Sequence, residues 1–513
     1  MLLLIVIKNQ EKKYNFFPTL LTQSWNKLIS VIDTPLWLEI FFVIIILLRI
    51  PSFFEPYYYG DEMIYLTLGE GIRQGIPLYS GLHDNKPPLL YLTAALAGNV
   101  FVFKVLLAAF NLVAIYLFWK LTKILFQKND KLSTVSTIIF GIFSTLPLLE
   151  GNIANAENFM VVPVLLAIIY AFTRKDSLKN MFLIGVLFSI ASLFKIVAAF
   201  DILGLIAFWL IFTKKGNFIL FIKKIFFLSL GFVIPISLTF VWYYFRGALS
   251  EYVIAAYLQN FGYLSSWKRS AVEVPFLVKN APLLIRFGIM LFGFFVLWLL
   301  RNKLSRQFIF VTAWLLATLF AVTLSERPYP HYFLQSLAPI SILFGMLFTF
   351  KNVEQSLTVI PLTLAFFVPF YFKFWYYQTV PYYERFIKFA TRQITRDEYF
   401  NMFSPQLNNN YEIADFLTKS AKKTDKVFVW SNDSSAIYSL SRRLPPTKYV
   451  ADYHFRDFST EDMTIAELEQ TMPKFVVVTP NSYPFPKLDA FLNGNYYIIS
   501  EIGSSQIWLY LQK

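Results

Sequence analysis

The chain has 513 residues, of which 56% are hydrophobic, 19% aromatic and only 15% charged; a soluble domain carries about a quarter charged residues, so the composition excludes a soluble enzyme and indicates a membrane protein. The net charge of +14 sits in short segments between apolar runs, as the positive-inside rule distributes it, and so reports topology and no nucleic-acid partner. With no cysteine and 3 histidines, disulfides, thiolate metal sites and thiol catalysis are excluded, and little scope remains for an imidazole metal cluster.

Met1 to Ile7 are apolar but lack a basic n-region and a small-residue cleavage site, so no cleaved signal peptide is expected. A membrane span needs roughly 20 apolar residues. Runs near 35–54, 89–126 (long or bent), 132–149, 158–173, 181–196, 198–213, 225–245, 283–300, 307–325, 333–350 and 355–374 predict about eleven spans. Basic clusters follow alternate spans: Lys120, Lys123, Lys128 and Lys131; Arg174, Lys175 and Lys179; Lys214, Lys215, Lys223 and Lys224; Arg301, Lys303 and Arg306. Together with Lys8, Lys12, Lys13 and Lys27 they fall on one side if the N-terminus is cytoplasmic. The expected location is the inner (cytoplasmic) membrane, multi-pass, with the C-terminus outside.

The opposite loops, 55–88, 150–157, 246–282 and 326–332, are rich in Tyr, Pro, Asn and acidic groups. Asp61 to Gln74 reads as a short amphipathic helix suited to lie on the outer surface. Near 376–410 the composition turns polar. Beyond it, a helical pattern over 411–421 precedes the apolar strand Lys426-Val-Phe-Val-Trp430, and a second near 465–472 precedes Phe475-Val-Val-Val-Thr479. Residues 496–500 and 506–511 read as a hairpin across Gly503-Ser-Ser. The expected domains are a membrane part, 1–385, and a small extracytoplasmic α/β domain, 386–513, in which no catalytic motif is evident.

The outer loops hold the groups that could do chemistry. Asp61 and Glu62 are adjacent, and consecutive side chains on a helix diverge by about 100°, so one can face a substrate while the other faces a partner. A carboxylate at a partly dehydrated interface is a better general base for an alcohol; the plainer reading is that Asp61 caps a helix. Lys86 precedes Pro87-Pro88, which forces it extended and fixes its direction. An aimed ammonium suits a phosphate, and the plainer reading is a snorkelling lysine. Lys195 and Asp201 lie in an apolar stretch and either pair with each other across a turn or leave Lys195 facing a phosphate cavity. Arg327 and His331, in Ser325-Glu-Arg-Pro-Tyr-Pro-His-Tyr332 with Gln335 beyond, can bind a phosphate leaving group or serve as interfacial polar residues. Glu157 and Asn158, in Asn152-Ile-Ala-Asn-Ala-Glu-Asn158, could orient a cation or sugar hydroxyls, or belong to a solvated, capped loop. A divalent metal ion therefore stays open as a cofactor.

Several of these pieces, in this order, resemble the GT-C glycosyltransferases that use polyprenyl-phosphate sugars, above all bacterial relatives of protein O-mannosyltransferases and the lipid A aminoarabinose transferase. The matching parts are Gly60-Asp61-Glu62, Gly75-Ile-Pro-Leu-Tyr79 leading to Asp84-Asn-Lys86-Pro-Pro-Leu-Leu-Tyr91, Ala154-Asn-Ala-Glu157-Asn158, Leu193-Phe-Lys195 and Tyr329-Pro-His331-Tyr-Phe-Leu-Gln335. The likeness covers the membrane portion and departs from the family in having no long loop after Tyr91 and a small α/β tail. It implies Asp61 as catalytic base with Glu62 in support, and Lys86, Lys195, Arg327 and His331 around the donor phosphate. The expected activity is an inverting transfer of a sugar from a polyprenyl-phosphate donor to a hydroxyl of a lipid, glycan or protein on the outer face. The rivals are a transporter or flippase of a lipid-linked substrate, which should carry ionisable groups at the midplane of repeated halves, and a GT-C-like glycan ligase or polymerase.

Overall fold

The computed structural model describes residues 34–262 and 275–511. Lys8, Lys12, Lys13 and Lys27, the Met1–Ile7 segment and part of the expected 246–282 loop lie outside the described residues. The described residues fall into two units, 34–47 and 48–511. The first contributes the start of an apolar helix, Leu36–Arg49; all contacts below lie within the second.

Seven helical segments among the described residues are long and apolar enough to cross a membrane: Leu36–Phe54, Val100–Leu125, Ala156–Thr173, Phe218–Phe245, Phe276–Leu299, Pro330–Thr349 and Val353–Tyr371. Shorter apolar helices occupy Leu178–Phe194, Ile196–Phe212 and Arg306–Val322. The run expected as one long or bent span over 89–126 is two helices, Leu89–Ala97 and Val100–Leu125. Gly98 ends the first in the left-handed region at φ 67°, a conformation glycine adopts without a Cβ penalty. Asn99 starts the second by accepting a hydrogen bond from the Val102 N–H at 2.9 Å.

The close crossing of Leu178–Phe194 and Phe218–Phe245 depends on two glycines. A Cβ on Gly185 would lie 2.0 Å from the Leu228 carbonyl oxygen, and one on Gly231 would lie 2.0 Å from that of Phe182. Small residues let the two backbones touch, which is how apolar helices gain packing where lipid supplies no hydrophobic drive.

The C-terminal region holds a four-stranded sheet of β1 (Val427–Trp430), β2 (Phe475–Val478), β3 (Tyr496–Ile502) and β4 (Ser505–Tyr510), in the order β1-β2-β4-β3. β1 and β2 pair in parallel, and β4 runs antiparallel to both β2 and β3. The β3–β4 turn puts Gly503 and Ser504 at φ 51° and 66°, positive values that a tight hairpin needs. Buried Phe428, Trp430, Phe455, Val476, Leu488 and Phe491 form its core.

One element departs from expectation. The Gly60–Arg73 helix does not lie open on a surface: Glu62 through Gly71 are all buried. It packs between the Leu89–Ala97 helix and the Ser434–Ser441 helix of the C-terminal region. Thr67 Oγ1 donates to the Ser435 carbonyl at 3.2 Å, and Ser439 Oγ approaches Met63 Sδ at 3.3 Å. The amphipathic pattern was real, but its apolar residues meet protein on both sides.

Candidate active site

The Gly60–Arg73 helix begins with Asp61 and Glu62 in its first turn, and their divergence sends them to different surroundings. The Asp61 side chain is 34% exposed and accepts a hydrogen bond from Tyr65 OH, one turn on, at 3.0 Å. Lys86 Nζ stands 3.8 Å from Asp61 Oδ2 and 3.7 Å from Asp84 Oδ2, and 4.9 Å above the Tyr65 ring. Its backbone is pinned at both ends: the N–H donates to Tyr91 OH at 3.0 Å, and the carbonyl accepts from Tyr79 OH at 2.8 Å. With Pro87 and Pro88 following, little freedom is left to redirect this side chain. Asp84 accepts from the Asn85 N–H and from Tyr91 OH, each at 2.8 Å. Burial pushes its carboxyl up, but Lys86, His454 and those two hydrogen bonds outweigh burial and hold it below the usual carboxylate range.

Glu62 points the other way and is 1% exposed. It meets Lys104 Nζ at 2.7 Å and accepts from the Ala154 N–H at 2.5 Å. Lys104, itself fully buried, also contacts Glu55 Oε2 and donates to the Asn152 carbonyl, both at 2.7 Å. Asn152 Nδ2 and Tyr382 OH complete the set on Glu55 Oε1, at 2.6 Å each. Expected beside the chemistry, Glu62 is instead part of an internal ion triad that ties three segments together.

A second constellation gathers at the ends of three other helices. Glu157, in the first turn of Ala156–Thr173, pairs with Lys195 Nζ, which also lies 4.1 Å over the Tyr332 ring. The pairing of Lys195 with Asp201 does not form: Asp201 accepts from Trp314 Nε1 at 2.6 Å and from Gln335 Nε2 at 2.8 Å. His331 lies between two carboxylates, with Nδ1 2.5 Å from Glu150 Oε2 and Nε2 3.8 Å from Glu157 Oε1. Tyr59 OH and Asn155 Nδ2 also donate to Glu150 Oε2, both at 2.8 Å. Asn158 is buried and donates to the Ile153 carbonyl at 2.9 Å, so it shapes the loop that carries Glu157. Arg327 is on an exposed turn; beside it, Glu326 pairs with Arg286 at 2.8 Å.

Lys195 and Glu157 stand in the wall of a cavity of about 410 Å³. Most of that wall is apolar, including Ile196, Val197, Phe200, Leu283, Phe320 and Val322. Lys86 and Asp61 lie within electrostatic reach of Lys195, and Asn260, also in the wall, donates to the Asn85 carbonyl at 3.1 Å. The structure thus brings Asp61, Lys86, Glu157, Lys195 and His331 together, while Glu62 and Asn158 serve the scaffold and Arg327 sits on the exposed turn. Such a site can accept a proton on a half-exposed carboxylate beside the Lys86 ammonium, with a second ammonium, Lys195, in the wall of an apolar cavity. Among the described residues no group of three or more His, Asp or Glu side chains is arranged to hold a metal ion.

Sequence reasoning passed over Glu150, Lys104 and His454. Glu150 and Lys104 had a detectable signal, since a charge inside or at the end of an apolar run usually has a partner. His454 had none, because only the docking of the C-terminal region brings it to Asp84.

Comparison with known proteins places the chain in a recognised fold. The chain is similar to the crystal structure of ArnT from Cupriavidus metallidurans bound to undecaprenyl phosphate, with a TM-score of 0.57 and 13% identity, over 93% of this chain and 98% of that one. The apo structure of the same protein aligns with a TM-score of 0.52 and 13% identity, over 92% of this chain and 97% of that one. Residues 408–513 match the family described as "Putative competence-induced protein Ccs4 C-terminal domain". No curated protein matches the chain by sequence. The chain is a membrane protein with a GT-C glycosyltransferase-like fold and a small C-terminal α/β domain.

Proposed function

From a GT-C-like fold holding a carboxylate beside two lysines, we propose an inverting glycosyltransferase that takes its sugar from a polyprenyl-phosphate donor and passes it to a hydroxyl of a lipid, glycan or protein. The observation that carries this reading is the half-exposed Asp61 carboxylate 3.8 Å from Lys86 Nζ, with Lys195 in the wall of the adjoining apolar cavity. A lipid-linked donor asks for this combination: apolar surface for the chain and cations at its mouth for the phosphate. Undecaprenyl phosphate, the lipid in the ArnT structure, is a ligand of that class.

In the reaction, Asp61 accepts the acceptor's proton as the hydroxyl oxygen bonds to the sugar C1. The bond from C1 to the phosphate oxygen breaks on the opposite face. The departing lipid phosphate gains negative charge, which Lys86 and Lys195 offset, with His331 and Arg327 as further cationic or hydrogen-bonding groups of that region. Glu157 holds Lys195 in place and is suited to orient sugar hydroxyls. The membrane part, residues 1–385, would carry the chemistry, on the outer face of a cytoplasmic-type membrane with the N-terminus inside. Nucleotide sugars are not found there, and this explains why a lipid must deliver the activated sugar.

The test is transfer from a polyprenyl-phosphate sugar pool, with donor affinity measured separately. Asp61 stands inside the first turn of its helix, where Tyr59 is the N-cap and no side chain caps. Asp61→Asn keeps its size but removes the base, so turnover should fall by roughly a hundredfold or more with donor binding retained. Normal turnover in that variant would overturn the reading.

A further inference from the structure

The C-terminal domain grips the segment that leads into Lys86. The His83 N–H donates to the Lys448 carbonyl at 2.8 Å, and the His83 ring meets Tyr449 and Phe458 edge-on, each with a centroid separation of 5.3 Å. His454, on the short helix Asp452–Phe458, brings Nε2 to 3.7 Å from Asp84 Oδ1. On the other carboxylate oxygen, Lys86 Nζ stands 3.7 Å from Oδ2. Asp84 therefore lies between an imidazole from the C-terminal domain and an ammonium from the membrane part. Both Asp84 and His454 are buried, so bulk water cannot take over either contact, and a buried carboxylate depends on the partners it has.

On the reading that Lys86 holds the donor phosphate, we infer that the C-terminal domain completes the site, with His454 as a positioning residue that orients Asp84 and, through it, the Lys86 ammonium. The hydrogen bonds from Asn85 and Tyr91 fix the carboxylate plane, and the His454 ring packs 3.7 Å from its Oδ1 edge, closing the side away from Lys86. That plane sets where Lys86 Nζ comes to rest between Asp84 and Asp61. Burial pushes the His454 pKa down to about 4, so the ring is neutral at physiological pH and adds no charge that would compete with Lys86 for a phosphate. The domain then acts as more than a cover, because the strand-and-helix scaffold that positions His454 is the same one that backs the helix bearing Asp61.

The experiment is a double-mutant cycle in the full-length protein, with undecaprenyl phosphate as the binding probe. Lys86→Ala and His454→Ala should each weaken its binding about tenfold or more, and the double variant should bind no more weakly than Lys86→Ala alone. His454→Gln, which keeps a neutral polar group of similar reach against Asp84, should recover most of the loss. Where His454→Ala proves unstable, His454→Leu, which keeps side-chain volume, serves the same cycle with the same expectation. A purely structural histidine would show losses that add and no rescue by Gln. Unchanged binding in the His454 variants, or additive losses, would overturn the inference while leaving the phosphate role of Lys86 intact. Unchanged binding in Lys86→Ala would instead refute the phosphate role itself, and the inference with it.

Discussion

His331 Nδ1 lies 2.5 Å from Glu150 Oε2, a contact that links the loop ahead of one apolar helix to the first turn of another. Glu150 is held at φ 57°, an unusual conformation for a glutamate, and spends its Oε2 on His331, Tyr59 and Asn155 together. Because Tyr59 directly precedes the Gly60–Arg73 helix, this hub couples the first turn of Pro330–Thr349 to the start of the helix that bears Asp61.

Removing that hub should loosen the site. Glu150→Ala should lower stability by about 1.5–3 kcal/mol, the usual worth of hydrogen bonds to a charged group. Glu150→Gln, which keeps one acceptor oxygen, should lose less. Thermal unfolding of the detergent-solubilised variants measures both, and equal stability of all three proteins would show that the hub is dispensable.

The two adjacent acidic residues should separate cleanly by phenotype. Lys104→Ala leaves Glu55 and Glu62 buried without their cation and should cost about 3–5 kcal/mol, seen as poor recovery of folded protein. Glu62→Ala leaves Lys104 paired with Glu55 and should cost about 1–3 kcal/mol for the orphaned Ala154 N–H. Asp61→Asn should fold like the unmodified chain. Recovery profiles from size-exclusion chromatography give the comparison, and a well-folded Lys104→Ala would contradict the scaffold role.

Lys195 should show two separable roles. Lys195→Ala strands Glu157 and should weaken both stability and donor binding, the latter by about tenfold or more. Adding Glu157→Ala should restore stability, since no buried charge is then left unpaired, but should not restore donor binding. Parallel melting and lipid-phosphate binding measurements separate the two. If binding returned along with stability, Lys195 would be a packing residue.

The docking of the C-terminal domain should weaken in acid. His454 has a pKa pushed down by burial to about 4, and His83 is lowered too, also chiefly by burial. Asp84 opposes the shift at both; Lys448 adds to it at His83, and Lys86 and His83 add to it at His454, where Asp61 opposes it. The released state binds the proton more readily, so the contribution of these histidines is fully present above about pH 6.5 and is lost as the pH falls towards 4. For His454 alone the loss reaches roughly 3 kcal/mol. Asp84, held low, keeps its charge across that window. Protease sensitivity of the C-terminal domain between pH 7.5 and 4.5 should rise in the unmodified protein and rise less in His454→Leu; parallel curves would remove His454 from the account.

By itself, the sequence determined that this is a membrane protein, roughly where its apolar helices run, and that β1, β2 and the closing hairpin form a small α/β domain. These follow from composition, run length and alternation, which are local properties. The order of Asp61, Lys86, Glu157, Lys195 and His331 was legible as well, because charged groups are rare at the borders of apolar runs and each carries its own signal. What only the tertiary structure decided is which neighbour each charge takes. Glu62 turned inward to Lys104 although it adjoins Asp61, Lys195 paired with Glu157 and left Asp201 to Trp314 and Gln335, and His454 arrived beside Asp84 from the far end of the chain. A charge inside an apolar protein must be compensated within a few ångströms, but the chain brings that partner by packing helices and docking a domain, and sequence distance carries no trace of either.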